Sequence, residues 1–242
     1  TLSINTVYKN GLPIENKFKK SDYQFLPSLR SSVKAPKLEI NDFKLKTDLI
    51  NNGQVVANVI QINPVGTFTN HIKVKLEVKN HEVQWKKANL NLIMVQDRYG
   101  KNNGNYTLGL VDRGISKDGA VGATWAHDHH NIMIMGTNIK AMLKIQHQLI
   151  DEQGGYVVAK GDEIIEDAPL PIGGVVSDEP MTKLGEKISN IRHTLQDLGY
   201  KNTNEIMSFS TLSLLVSPQI KISDKGLFDV KSQEKIPLFE KL

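Results

Sequence analysis

The sequence predicts an α+β domain, a mostly antiparallel or mixed sheet with two prominent helices packed on one of its faces. Three observations lead there. Strand-like stretches outnumber helical ones and come in pairs joined by short Gly- or Asn-containing turns, which is how hairpins read. Residues 138–153 and about 179–198 carry apolar side chains at helical spacing over several turns. Strands and helices do not alternate along the chain, which argues against a doubly wound parallel sheet.

The elements follow in order. Residues 6–14 read as a strand, an Asn10-Gly11 turn and a second strand. A lone hairpin is marginal in water, so residues 1–14 are expected to be the last hairpin of a small neighbouring β-domain. Residues 15–41 are polar and lysine-rich, with Pro27, Pro36 and little periodicity, and read as a linker. The main domain is then expected over residues 42–242, opening on a short strand at 42–46. Strands follow at 54–62 and 71–78, the second alternating apolar and polar residues as a half-exposed strand does. Residues 90–95 and 106–111 flank a Gly- and Asn-rich turn and read as a hairpin.

In the helix at 138–153, Ile139, Met142, Leu143, Gln146, Leu149 and Ile150 share one face. Asn138 can cap its start, and Gly154-Gly155 mark its stop. A hairpin at 156–166 turns at Gly161. In the second helix Met181, Leu184, Ile188, Ile191, Leu195 and Leu198 share a face, Pro180 lies in the first turn and Gly199 ends it. Residues 207–230 contain an apolar run broken at Ser217-Pro218, where periodicity does not separate helix from strand.

The chain has 242 residues, of which 39% are hydrophobic and 23% charged, as in an ordinary globular domain. It opens on Thr1, and we expect a fragment or a processed product. With no cysteine, disulfides and Cys-ligated zinc are excluded, which fits a reducing, cytoplasmic compartment. No apolar stretch approaches the roughly 20 residues of a membrane helix. The first 47 residues hold nine Lys or Arg against four Asp or Glu, and the rest 21 against 22, so the net charge of +4 belongs to the N-terminal segment. Basic residues interleaved with aromatics on one face, as a nucleic-acid partner requires, are not apparent.

Chemistry concentrates in Ala126-His127-Asp128-His129-His130-Asn131, set between two apolar runs. In a strand His127 and His129 would share a face. A His-x-His pair could begin a site for zinc, iron or manganese. The same residues could equally form a polar turn in which Asp128 and Asn131 bond backbone amides. Arg98, in Asp97-Arg98-Tyr99-Gly100 at the end of an apolar strand, is either functional or a surface ion-pair member. Gly173-Gly174 would let a backbone or ligand approach closely, while Ser177 or Asp178 would cap the following helix.

At these motifs the sequence resembles the C-terminal domain of the bacterial adenine deaminases, metal-dependent members of the amidohydrolase superfamily. Four landmarks occur in family order. They are Asp97-Arg98-Tyr99-Gly100, where the family usually has Glu-Arg-His-Gly; residues 126–131; residues 170–180; and Asp224-Lys225-Gly226-Leu227-Phe228-Asp229. The likeness runs over about 42–230. His129 stands where the family commonly has a small residue, so roles carry over to His127, Asp128, His130 and Asn131. Tyr99 replaces a usual histidine, so no proton-transfer role is carried to it.

The resemblance implies hydrolysis of adenine to hypoxanthine and ammonia in purine salvage, using a divalent metal, manganese or iron. The metal would be bound mainly by a (β/α)₈ barrel, which needs about 250 residues and which this chain is expected to lack. His127, Asp128 and His130 are then expected as accessory catalytic groups, and Asn131, Arg98, Gly173, Gly174 and Asp178 as substrate contacts. No residue here is assigned to the metal. Expected partners are the enzyme's own N-terminal barrel, adenine and further copies of the same subunit in a homo-oligomer. Two alternatives stand beside this: a non-catalytic module for assembly or stability, and a free-standing metallohydrolase built on the His127–His130 cluster.

Overall fold

The computed structural model describes residues 3–14 and 23–242. Along the chain come β1 (Tyr8–Lys9), β2 (Leu12–Pro13), β3 (Gly53–Ile62), β4 (Thr69–Lys79), β5 (Glu82–Val83), β6 (Asn91–Gln96), β7 (Tyr106–Asp112), β8 (Gly119–Ala123) and β9 (Ile132–Gly136). Helix α1 (Ile139–Asp151) follows, then β10 (Gly155–Lys160), β11 (Glu163–Pro169), α2 (Met181–Asp197), α3 (Glu205–Ser210), β12 (Ile220–Ser223), β13 (Gly226–Asp229), β14 (Glu234–Ile236) and β15 (Phe239–Lys241). A ten-stranded sheet in the order β11-β10-β8-β9-β6-β7-β3-β4-β5, with β15 also on β3, forms the centre. All its neighbours are antiparallel except β3 and β7. The α+β mixed-sheet expectation therefore holds.

The helices do not share a face. Every residue of β6 is buried, with Leu92 and Met94 in one core and Ile93 and Val95 in the other. Helix α1 covers the first core with Ala141, Met142, Ile145 and Leu149. Helix α2 covers the second with Ile191 and Leu195, joined by α3 and by Ile220, Ile222 and Leu227 of the small β12-β13-β14 sheet. The run Leu92-Ile93-Met94-Val95 carries the physical reason, since an unbroken apolar strand needs cover on both faces. Asn138 caps α1, accepting a bond from Ala141 N at 3.1 Å. Met181, expected on the apolar face of α2, is 84% exposed.

The segment read as a linker is packed from Val33 onward, with Val33, Ala35 and Leu38 buried; its residues 15–22 lie outside the described ones. Side-chain amides replace strand pairing here. Gln153 Nε2 donates to Val33 O and its Oε1 accepts from Val33 N. Buried Gln146 accepts from Leu38 N and donates to Pro36 O and Gln96 Oε1. Two clamps of this kind satisfy backbone groups that would otherwise be buried unpaired. Residues 42–46 do not open the domain as a strand: Ile40–Phe43 is a 3₁₀ turn and Lys46 makes one isolated bridge to Glu82. The β1–β2 hairpin forms around Asn10 and Gly11, both at positive φ, and its residues are exposed.

Candidate functional site

The histidine cluster fills the loop between β8 and β9, at the end of the sheet where β6 runs out into Asp97 and Arg98. Its frame is a set of buried polar contacts. Asn131, 4% exposed, accepts from Arg98 N at 3.3 Å and donates to Asp224 Oδ1 at 3.0 Å. Asp224 lies in the β12–β13 turn and accepts through its carbonyl from Asn105 and Thr107. Arg98, 3% exposed, donates to Gly173 O at 2.7 Å and to the Tyr99 hydroxyl at 3.1 Å, and its guanidinium lies over the Tyr99 ring. Tyr99 in turn donates to His129 O at 2.8 Å.

Gly174 shows why this stretch has two glycines. A Cβ there would fall 1.7 Å from Arg98 Nη1, whereas one on Gly173 would meet nothing within 4 Å. The group that approaches Gly174 closely is thus an arginine of the same chain. Thr124 completes the frame by donating to Gly174 O at 2.6 Å and accepting from Gly155 N. All four sequence landmarks meet at this one hydrogen-bonded assembly.

Within the loop the histidines divide differently from a strand. His127 and His130 pair, their ring centroids 5.4 Å apart, with Trp125 against His127. His130 sits at φ +49° and its N–H closes the turn on Ala126 O. His129 turns away, its Nδ1 accepting from Asn131 N at 3.0 Å, which leaves the proton of the neutral ring on Nε2. Burial pushes the His129 and His130 imidazoles below the usual histidine range, and for His130 the neighbouring His127 and Arg98 add to that. Both rings are therefore held neutral near pH 7. Asp128 is exposed and His127 and His130 are half-buried.

Among the described residues, eight buried side-chain atoms lack a hydrogen-bond partner, and four belong here: Asp97 Oδ2, Arg98 Nε, His129 Nε2 and His130 Nδ1. Each such group costs about 1–3 kcal/mol, so their concentration marks this end of the sheet as more than a scaffold. A polar turn alone does not describe the loop, because Asn131 bonds the backbone of a different strand end. Asp178 is not part of the assembly; it pairs with Arg30. Nor does it cap α2, whose N-cap is Pro180 without a side-chain bond, while Ser177 Oγ accepts from Glu179 N.

No group of three or more His, Asp or Glu side chains suited to holding a metal occurs among the described residues. With the His129 Nδ1 lone pair spent on Asn131 N, the cluster does not fit as a self-sufficient metal centre. Sequence reasoning did not single out Asp224, Thr124 or Tyr99 as members of this site. Asp224 was legible as part of a landmark, but Thr124 gave no signal.

A family model described as the adenine deaminase C-terminal domain matches residues 66–234. The chain belongs to the adenine deaminase C-terminal domain family. It is 65% identical over 239 residues to an adenine deaminase of Lactobacillus delbrueckii subsp. bulgaricus, covering 99% of this chain and 42% of that protein. It is 49% identical over 238 residues to adenine deaminase 2 of Oenococcus oeni (98% and 41%) and 44% identical over 254 residues to an adenine deaminase of Clostridium perfringens (99% and 43%). The chain thus spans about two fifths of the length of these relatives. The family match contains all four landmarks whole: residues 97–100, 126–131, 170–180 and 224–229 fall inside it.

Proposed function

We propose that this chain serves, in a complete adenine deaminase, to complete the site that hydrolyses adenine to hypoxanthine and ammonia, presenting the loop at residues 126–131 towards it. The observation that carries this is the meeting of four ordered family landmarks in one buried assembly with four unpartnered polar atoms. His127, Asp128 and His130 are the groups left free to act: the rings are half-buried and the carboxylate is exposed. A neutral His130 can accept or relay a proton near pH 7. Asn131, Arg98 and Gly174 act as positioning residues, because their polar groups or space are taken up by Asp224, Gly173 and each other.

In the same reading, a divalent ion, manganese or iron, is held by residues outside this chain and supplies the activated water. The partners are the enzyme's N-terminal amidohydrolase barrel, adenine and further copies of the subunit, in the cytoplasm. Exposed Tyr8, Leu12 and Leu26 suit contact with the preceding part of such an enzyme. No helix among the described residues is long and apolar enough to cross a membrane.

The test uses this chain alone, and this chain added to the Lactobacillus delbrueckii relative truncated by its matching segment. No adenine turnover by the chain alone, and restored turnover in the mixture or in a chimera carrying this segment, are expected. Robust turnover by the chain alone, or a truncated relative as active as the whole, would refute the reading.

A further inference from the structure

At the end of the sheet opposite the histidine loop lies a cavity of about 830 Å³. It opens where the C-terminal ends of β3 and β7, the sheet's one parallel pair, meet the start of β6. Five residue steps along β6 separate the two ends, roughly 17 Å at 3.3 Å per residue, so the cavity is distinct from the assembly around Arg98. The ends of parallel strands are a common place for ligands, and the volume lies within the range of small-molecule sites, about 300–1,000 Å³.

The lining is strongly unbalanced in charge. Lys86, Arg113, Lys117 and Lys201 face it together with Asp112 and Asp118. Each carboxylate has a hydrogen-bond donor of its own. Asp112 accepts from Gln61 Nε2 at 2.8 Å and lies 3.8 Å from Arg113 Nε, and Asp118 accepts from Asn138 Nδ2. The ammonium groups of Lys117 and Lys201 make no hydrogen bond or ion pair among the described residues, and Lys86 lies over the Trp85 ring. With Arg113 set against Asp112, three lysines face the one remaining carboxylate of the lining, Asp118.

The wall is also pre-formed. Asn91 brackets Ile115, donating to its carbonyl at 2.9 Å and accepting from its N–H at 3.1 Å. Ser116 and Lys117 both donate backbone N–H bonds to Leu198 O, at the end of α2. Asn202 donates to Asn63 O and Gly66 O. Two buried asparagines and a pair of backbone bonds thus fix the segments around Ile115, Lys117 and Asn202, which lowers the ordering cost of binding there.

We infer that this cavity is a second ligand site, which takes a phosphate-bearing small molecule of nucleotide size, held by Lys86, Arg113, Lys117 and Lys201. Charge-assisted bonds to phosphate oxygens supply the recognition, and four cationic residues against two carboxylates leave the lining net positive. The site stands independently of the deaminase reading, since no residue of the histidine loop takes part.

Isothermal titration of this chain with adenosine monophosphate and with inorganic pyrophosphate, at about 50 and 200 mM salt, tests it. Saturable 1:1 binding of the nucleotide, displaced by pyrophosphate and weakened by the higher salt, is expected. Lys117→Met and Lys201→Met should each weaken binding about tenfold, the worth of one charge-assisted bond. His130→Ala should leave it unchanged, and circular dichroism melts confirm that each variant is folded. Binding of neither anion, or binding that the two lysine variants leave untouched, would overturn the inference. Pyrophosphate binding without nucleotide binding would overturn its assignment to a ligand of nucleotide size.

Discussion

Replacing the two adjacent glycines of the 173–174 turn one at a time should give very different results. Both have positive φ, +61° at Gly173 and +72° at Gly174, so alanine at either carries left-handed strain of about 1–2 kcal/mol. At Gly173 that is the whole cost, because the new Cβ meets nothing within 4 Å. At Gly174 the Cβ would fall 1.7 Å from Arg98 Nη1 and 2.9 Å from Cζ. The guanidinium would have to leave, giving up its bonds to Gly173 O and Tyr99. Hydrogen bonds to charged groups contribute about 1.5–3 kcal/mol, which brings Gly174→Ala to about 3–5 kcal/mol. Urea unfolding followed by circular dichroism measures both variants, with the midpoint shift multiplied by the slope giving each cost. If the two variants lose the same stability within about 0.5 kcal/mol, the close packing of Arg98 on Gly174 is wrong, and with it the frame of the loop.

Lys221, fully buried on β12, is held down to about 7 by burial and bonds only Thr67 O among the described residues. The unfolded chain takes up this proton below about 10.5 and the folded chain only below about 7, so stability falls as the pH drops through that window and is level beneath it. At 1.36 kcal/mol per pKa unit the cost reaches about 5 kcal/mol at neutral pH; Lys221→Met should recover most of it and flatten Tm between pH 7 and 10, and an unchanged Tm profile would be contrary. For His129 and His130, burial lowers both imidazoles while the unfolded chain protonates near pH 6.5. Stability is therefore lost as pH falls below about 6.5, and imidazole NMR titration should find both rings protonating below the ordinary histidine range; ordinary titration of His129 would count against its burial.

Much of the sheet was legible because strands with one exposed face alternate with period two, as residues 71–78 do, and because Asn138 and Gly154 bracket a helix. The placement of the helices on opposite faces was readable in the all-apolar Leu92–Val95 run, because a strand with no polar side needs cover on both. The packing of residues 33–38 was not readable, since Gln146 and Gln153 do it with side chains whose partners are more than 100 residues away. In the site, the landmarks and their order were visible, whereas their geometry was not. His127 pairs with His130 rather than His129 because the loop is a turn, and Arg98 and Asn131 spend their polar groups on the frame. The cavity beyond β7 left no motif, as its cationic residues come from three separate segments.

The most direct measurement is the adenine kcat/KM of a complete enzyme carrying this chain, with and without His130→Ala, alongside His193→Ala on the exposed side of α2 as a control. Loss of about a hundredfold with His130→Ala, and none with the control, is the expected result. An unchanged kcat/KM with His130→Ala would contradict the loop's place at the active site.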